Sequence, residues 1–450
     1  MAGLVGLSMN REKYGGGLSQ ELFWATFYLQ HLGEEYGGLS VYNSENQDPI
    51  SIRTHRGLFR PAFKDDLKGL EGTEGIGYCG NAREPFFTDT KFGKMSLSIS
   101  GNFLQQSLLE EEFKAKGNTF ERSDDIELVS KLLVRKSNLI EGIKGLAKES
   151  GAYALMILTK DGIYAICSPS GHWPLDLGVK EGAVIVASES GGFKNLGFEL
   201  IRSLDPGEVL LLKDGSWQTV IRSKEFENKI QFCSFVWVYT GFANTAFRDI
   251  VASEVRKKLG ASLARRDIEN GFIPDVVTPI PDSGRFHAIG YHQEFCRQGI
   301  KPMPIYDEAL LKYPYAGRSY TPQSEKARNL EANIKILVSG ENCFKGKQIV
   351  VCDDSLVRGV QTRANLVPKL RSLEPAGIHF RISYPELKSH CPWGKTTQKG
   401  ETLVEHFPLK SDRIKELRIE SLEHNSIDGL VEDIGIPRKN LCVDCALERK

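Results

Sequence analysis

Ile349-Val-Val-Cys-Asp-Asp-Ser-Leu-Val-Arg-Gly-Val-Gln-Thr362 decides how the second half of the chain folds. The β-branched run from Ile349 to Val351 suits a strand buried in a parallel sheet. That run breaks into two acids, a serine and a glycine, the pattern of a strand handing over to an anion-holding loop. Gly359 lets the loop backbone approach a phosphate closely, and the peptide N–H groups ahead of the next helix bind one. Asp353 and Asp354 fall where a ribose diol or a hydrated Mg²⁺ would lie. Alone, Asp-Asp-Ser would equally serve as a solvated helix cap, and it is the continuation into Val357-Arg358-Gly359 that favours the phosphate loop.

The rest of the chain sets the frame for this loop. At 450 residues the sequence is too long for one ordinary core, so two domains of roughly 200 residues each are expected. A change of pattern near residue 230 divides 1–230 from 231–450. Lys plus Arg and Asp plus Glu both number 58, so no charge excess points to nucleic acid or an anionic membrane. No apolar run reaches the roughly 18 residues of a membrane span, and Met1 to Asn10 lacks a basic region followed by a long apolar core. A cytoplasmic protein is expected, with neither nucleic acid nor membrane as partner. Nine cysteines, an odd number spread along the chain, argue against a disulfide framework.

Before residue 230 the pattern is mainly short β-type runs: Leu39 to Tyr42, Ser96 to Ser100, Tyr153 to Leu158, Ile163 to Cys167 and Ala183 to Ala187. Phe23 to Leu32 and Ile126 to Arg135 carry apolar residues at helical spacing and predict helices lying on sheets. From Gln231 strand and helix alternate, with Val276 to Ile280, Ile349 to Cys352 and Ile378 to Ile382 as buried strands of a parallel α/β sheet. Lys312 to Arg328 is polar and aperiodic and reads as a long mobile loop.

With Val357-Arg358-Gly359 at fixed spacing, the opening stretch resembles the phosphoribosyl pyrophosphate loop of type I phosphoribosyltransferases, in the form used by the glutamine phosphoribosylpyrophosphate amidotransferase family. The resemblance extends to Thr278-Pro279-Ile280-Pro281-Asp282-Ser283-Gly284, similar to the family's turn facing the pyrophosphate, and to Gly317-Arg318-Ser319-Tyr320, similar to the start of its lid. It implies an α+β half, an N-terminal-nucleophile αββα sandwich, followed by a type I α/β half. It also implies roles for named residues. Ser283 and the N–H groups around Gly284 would take the diphosphate, and Asp353 and Asp354 the ribose hydroxyls. The peptide groups of Ser355, Leu356, Val357, Arg358, Gly359 and on to Thr362 would take the 5′-phosphate. Arg318, with Lys326 or Arg328, would close over the charged transition state.

Two departures stand out. Where the family has Arg-Gly-Thr-Thr this chain has Arg358-Gly359-Val360-Gln361, so two phosphate-contacting hydroxyls are missing, a cost of about 1.5–3 kcal/mol each. Gly241-Phe242-Ala243-Asn244-Thr245 replaces Ala-Arg-Pro-Asp-Ser, losing an arginine and an acid.

Cys442-Val-Asp-Cys445 is a two-cysteine clip that needs partners elsewhere to complete a thiolate site. Together with Cys233 and Cys391 it matches, one cysteine by one, the family members that carry a [4Fe-4S] cluster. Spacing alone admits Zn²⁺ as well, and the resemblance is what implies iron and sulfur. Cys79, Cys167, Cys296, Cys343 and Cys352 read as ordinary thiols.

In the family, the first half is a glutaminase whose N-terminal cysteine attacks the glutamine amide. Here Ala2 stands in the nucleophile's place. Leu32 replaces an arginine, Tyr78-Cys79-Gly80 replaces the His, its neighbour and the Arg of the loop gripping the glutamine carboxylate, and Ser100 replaces the oxyanion asparagine. Gly101 keeps its backbone donor, and Asp125 matches the acid that holds the glutamine α-amine. Removing one oxyanion donor alone costs about a hundredfold in rate, so a folded but glutaminase-dead domain is expected.

The resulting expectation is an amidophosphoribosyltransferase-like enzyme of purine biosynthesis that uses ammonia or another amine with phosphoribosyl pyrophosphate and Mg²⁺. It would be a homo-oligomer, with a partner glutaminase or an active paralogue as a further associate. The alternative is a non-catalytic regulatory or structural homologue that binds a phosphoribosyl ligand.

Overall fold

The computed structural model describes residues 2–63, 66–222, 229–315, 334–339, 342–394, 397 and 399–448. They fall into two compact units. One comprises Met1–Cys233, Phe242–Asp249 and Lys439–Cys442, and the other Ser234–Gly241, Ile250–Arg438 and Val443–Lys450.

The first unit is built around the strand Gly3–Met9, buried along its whole length. Successive side chains point to opposite faces, so Val5, Leu7 and Met9 join a core beneath the helix Leu18–Phe27. Gly6 faces the other way, where an added Cβ would lie 3.1 Å from Ile163 and 3.3 Å from Met156. Two sheets therefore stack face to face, one of seven strands and one of six. The helices Gln106–Ala115, Asp125–Val134 and Leu139–Leu146 cover the outer face of the six-stranded sheet through Leu109, Phe113, Ile126, Val129, Leu133 and Ile143. This is the αββα layering expected from sequence.

The five expected strands of this half all form, each inside a longer strand or coincident with one. The helix expected at Ile126 to Arg135 spans Asp125–Val134, capped by the Asp124 carboxylate on the Glu127 N–H. The other expected helix needs correcting: Phe23 to Leu32 is a helix over Leu18–Phe27 followed by a separate turn at Gln30–Leu32. Leu18 and Leu22 extend its buried face over Gly75, where a Cβ would meet them at 2.7 and 2.8 Å. At the far end Gly33 presses on Gly80, within 2.3 Å of a would-be Cβ, which leaves no room for another helical turn.

The second unit holds a parallel sheet in the spatial order Ile305–Tyr306, Val276–Pro279, Gln348–Asp353, Gly377–Ile382, Ser421–His424. Numbered along the chain this is 2-1-3-4-5, a doubly wound order whose direction reverses between Val276–Pro279 and Gln348–Asp353. Ligands of such sheets lie beyond the carboxyl ends of the strands at that reversal. Lys312, expected in a loop, instead ends the strand Leu310–Lys312, paired antiparallel with Ile336–Val338. Backbone pairing continues there because Tyr313 N–H donates to Lys335 O. Residues 316–328 of that expected loop lie outside the described residues.

The helices Ala252–Glu269 and Arg285–Arg297 cross at two glycines. A Cβ on Gly260 would lie 1.9 Å from His287 O, and one on Gly290 2.0 Å from Lys257 O. The first helix is also tied to the sheet by the buried Asp267 carboxylate, which accepts from Arg381 at 2.5 and 2.9 Å and from the Tyr291 hydroxyl at 2.5 Å. No described helix is long and apolar enough to cross a membrane. Gly290→Ala is expected to destabilise the protein by about 1–3 kcal/mol through overpacking, read as a lowered midpoint in a denaturant titration.

Candidate functional site

In the second unit the two sequence motifs meet at the strand-order reversal. Val276–Pro279 gives way to a turn that ends at Gly284, from which the helix Arg285–Arg297 starts. The Pro281–Asp282 peptide within it is cis. Ile280 N–H donates to Cys352 O at 2.9 Å, and a Cβ on Gly284 would lie 2.1 Å from the same carbonyl. Only glycine permits this approach, which fixes the turn against the end of Gln348–Asp353. Ser283 Oγ then donates to Asp353 Oδ1 at 2.8 Å, and Asp354 N–H donates to the same oxygen at 2.9 Å. Ser355 Oγ donates to Asp354 Oδ2 at 2.5 Å.

Burial pushes both carboxyls above the usual carboxylate range, and for Asp353 the neighbouring Asp354 charge adds to the effect. Adjacent carboxylates disfavour each other's ionised form, and a facing cation would lower that cost. The loop beyond turns at Gly359, in the left-handed region with φ +67°, and enters the helical turns Thr362–Leu366 and Val367–Arg371. Thr362 is buried, whereas Val360 and Gln361 are exposed. The Arg358 guanidinium is exposed and pairs with Glu401. Leu356 is buried in the core beneath the loop, and Val357 O accepts from Leu403 N–H. Opposite, Lys312 pairs with Asp282 at 2.7 Å and Arg285 grips Glu308 at 3.0 and 3.2 Å. Arg318, Lys326 and Arg328 lie outside the described residues.

In the first unit three positions read as departures from the family, Ala2, Tyr78 and Ser100, and the two read as retained, Gly101 and Asp125, line one cavity of about 240 Å³ together with Glu84 and its neighbours. Ala2 N–H donates to Ser100 Oγ at 3.1 Å. Gly101, with φ +128°, would carry a Cβ 2.1 Å from Ala152 O. Asp125 Oδ1 accepts from Phe103 N–H at 3.0 Å, and burial pushes its carboxyl up to about 6. Leu32 is not among the cavity's lining residues and is buried in the core with Leu22, Phe23 and Leu29.

Gly80 owes its identity to Tyr78. A Cβ there would lie 2.0 Å from the Tyr78 hydroxyl oxygen and 2.2 Å from its ring carbon, so the tyrosine occupies the space into which a side chain at position 80 would grow. The tyrosine is buried, its hydroxyl accepting from Ala82 N–H at 3.2 Å. The lining residue that sequence reasoning missed is Glu84, whose signal was only an acid beside Pro85 and Phe86. It is 2% exposed, Oε2 accepts from Ile99 N–H at 2.7 Å, and burial pushes its carboxyl up to about 8.

Of the four candidate ligand cysteines, Cys233 and Cys442 are register partners in a short parallel pairing of the first unit. In the second unit Cys445 Sγ lies 3.4 Å from the Tyr384 hydroxyl, and Cys391 N–H donates to Thr397 O. Among the described residues, no group of three or more His, Cys, Asp or Glu is placed to hold a metal ion. The donor chemistry of four thiols suits an iron–sulfur cluster or Zn²⁺ alike.

Gly80→Ala is expected to cost about 1–3 kcal/mol, and most of that cost should vanish in a Tyr78→Ala background. Denaturant titrations of the four proteins of the double-mutant cycle measure this coupling.

Residues 77–195 match a family model described as a glutamine amidotransferase domain. The chain is 31% identical to an amidophosphoribosyltransferase of Methanocaldococcus jannaschii, over 95% of this chain and 93% of that one. It is also 31% identical to one of Methanothermobacter thermautotrophicus, over 98% and 93%. Among solved structures it resembles the glutamine phosphoribosylpyrophosphate amidotransferase from B. subtilis complexed with ADP and GMP, with a TM-score of 0.86, 26% identity, and coverage of 98% of this chain and 96% of that one. Agreement along nearly the full length of both chains, with the motif pair seated at the strand-order reversal, establishes that the chain belongs to the amidophosphoribosyltransferase family.

Proposed function

We propose that the protein transfers ammonia, or another small amine, to phosphoribosyl pyrophosphate with release of pyrophosphate, and that it does not hydrolyse glutamine. The observation that carries the transferase reading is the tie from Ser283 to Asp353 at the point where the strand order reverses. In this reading residues 231–450 are the phosphoribosyltransferase domain and residues 1–230 the glutaminase-like domain. Likeness to a solved structure of the allosteric regulatory enzyme of purine biosynthesis, 26% identical with a TM-score of 0.86, supports a place in that biosynthesis. We also assign a homo-oligomeric state on the resemblance, and an ammonia-supplying partner on the reading that the first half does not hydrolyse glutamine.

The amine lone pair forms the bond to the anomeric carbon as the carbon–oxygen bond to pyrophosphate breaks, and the extra proton on nitrogen passes to solvent. Positive charge develops on the ribose, so the protein's task is to hold and neutralise. Asp353 and Asp354 would take the ribose hydroxyls and stand close to the developing charge. Ser283, which orients Asp353, and the N–H groups around Gly284 would hold the diphosphate. The backbone from Ser355 to Thr362 would cradle the 5′-phosphate, with Gly359 providing the close approach.

When bound with the diphosphate, Mg²⁺ would neutralise the leaving group. Such an ion needs only one or two protein carboxylates, and the acid pair fits that demand. Cys233, Cys391, Cys442 and Cys445 would hold a [4Fe-4S] cluster with a structural role. Cys442→Ser should then lose iron and acid-labile sulfide in anaerobically purified protein, with a lower unfolding midpoint.

A second reading, a non-catalytic regulatory homologue, draws on Val360, an exposed apolar side chain where a phosphate-binding hydroxyl is expected. Pyrophosphate release with ammonium separates the two. Under the transferase reading release occurs with ammonium, no glutamate appears from glutamine, and Asp353→Asn with Asp354→Asn lowers release by roughly a hundredfold or more. Phosphoribosyl pyrophosphate binding without any release would favour the regulatory reading.

A further inference from the structure

The cavity of the first unit has the charge pattern of a receptor for a cation. Among its lining residues there is no lysine, arginine or histidine, while Glu84, Asp124 and Asp125 are acids. Asp124 is already committed: it caps the helix through Glu127 N–H and pairs with Arg122 at 2.7 Å. The other two are not. Glu84, almost fully buried, has one hydrogen bond among the described residues, from Ile99 N–H to Oε2, and its second oxygen has no such partner. Asp125 likewise spends Oδ1 on Phe103 N–H. Each residue thus has an oxygen that a ligand donor entering the cavity can take up.

The same wall excludes an amino acid. A ligand carboxylate would face acids, and the position from which an arginine would answer it is Gly80, closed over by Tyr78. The volume, about 240 Å³, is below the range of drug-sized pockets. We propose that this cavity binds a small organic ammonium ion without a carboxylate, its N–H groups shared between Glu84 and Asp125 and its carbon end against Ile99, Ile126 and Ala2. This rests on the reading that the domain does not process glutamine.

The binding should depend on pH. The Glu84 carboxyl lies at about 8 and that of Asp125 at about 6, so both lose protons as pH rises from 6 to 8, and attraction for a cation grows. Tyr78, Arg122 and Asp124 also face Glu84, and Asp124 and Glu110 face Asp125.

The test is calorimetric titration of the full-length protein with ethylammonium chloride and, separately, with L-glutamine at pH 6 and pH 8, with glutamate release assayed on the same samples. The expected result is ethylammonium binding that tightens at pH 8, weaker glutamine binding, and a roughly tenfold or greater loss of ethylammonium affinity in Glu84→Gln and in Asp125→Asn. Thermal unfolding shows that each variant is folded, and Asp125→Asn carries the test if Glu84→Gln does not fold. Absence of ethylammonium binding, glutamine binding as tight or tighter, or unchanged affinity in a folded variant would overturn the proposal. Glutamate release would overturn the glutaminase-dead reading, whereas absent ethylammonium heat without release would overturn the cavity proposal alone.

Discussion

Everything at the strand-order reversal of the second unit depends on how near Gly284 comes to the Cys352 carbonyl. With no side chain at that point, the turn after one strand closes on the end of the next, and two loops distant in sequence become one wall. Ser283 reaches Asp353 only because of this contact. The acid pair is therefore oriented by the backbone before any ligand arrives, which would spare a ligand the cost of ordering it. The price of such closeness is intolerance: a single methyl at position 284 would push the strand ends apart.

The first unit shows the opposite use of a glycine. Gly80 is compelled by the ring of Tyr78 lying over it, so two substitutions that look independent in sequence are one packing event. Reinstating a long cation at position 80 would first require the tyrosine to leave. A long side chain at position 80 is thus excluded by the wall of the cavity itself. Around it the αββα framework is fully packed, from Val5 and Leu7 to Ile157, so the domain keeps its architecture independently of any particular chemistry.

The strands were legible because their signals are local: β-branched runs such as Ile349 to Val351 are buried on both faces and tolerate few alternatives. The loop that follows Gln348–Asp353 was legible because its residues are contiguous. The helix start at Leu18 was missed because three glycines precede it, and glycine gives no periodic signal even where the helix continues to pack. Glu84 was invisible for a different reason. Its importance comes from burial and from a contact with Ile99, fifteen residues on, and neither leaves a mark in composition. The Tyr78–Gly80 clash belongs to the same class, since two residues on one face of a strand collide only in three dimensions.

The short pairing of Phe232 and Cys233 with Leu441 and Cys442 has a bearing on how the protein is made. The first unit includes Lys439–Cys442, and Gln231 Nε2 donates to Lys439 O, 208 residues further along. A ribosome adding about 5–20 residues per second needs roughly 10 to 40 seconds to cover that distance. Through that interval the nascent first unit waits with one strand edge unpaired, and its completion is timed by the translation of the segment that closes it.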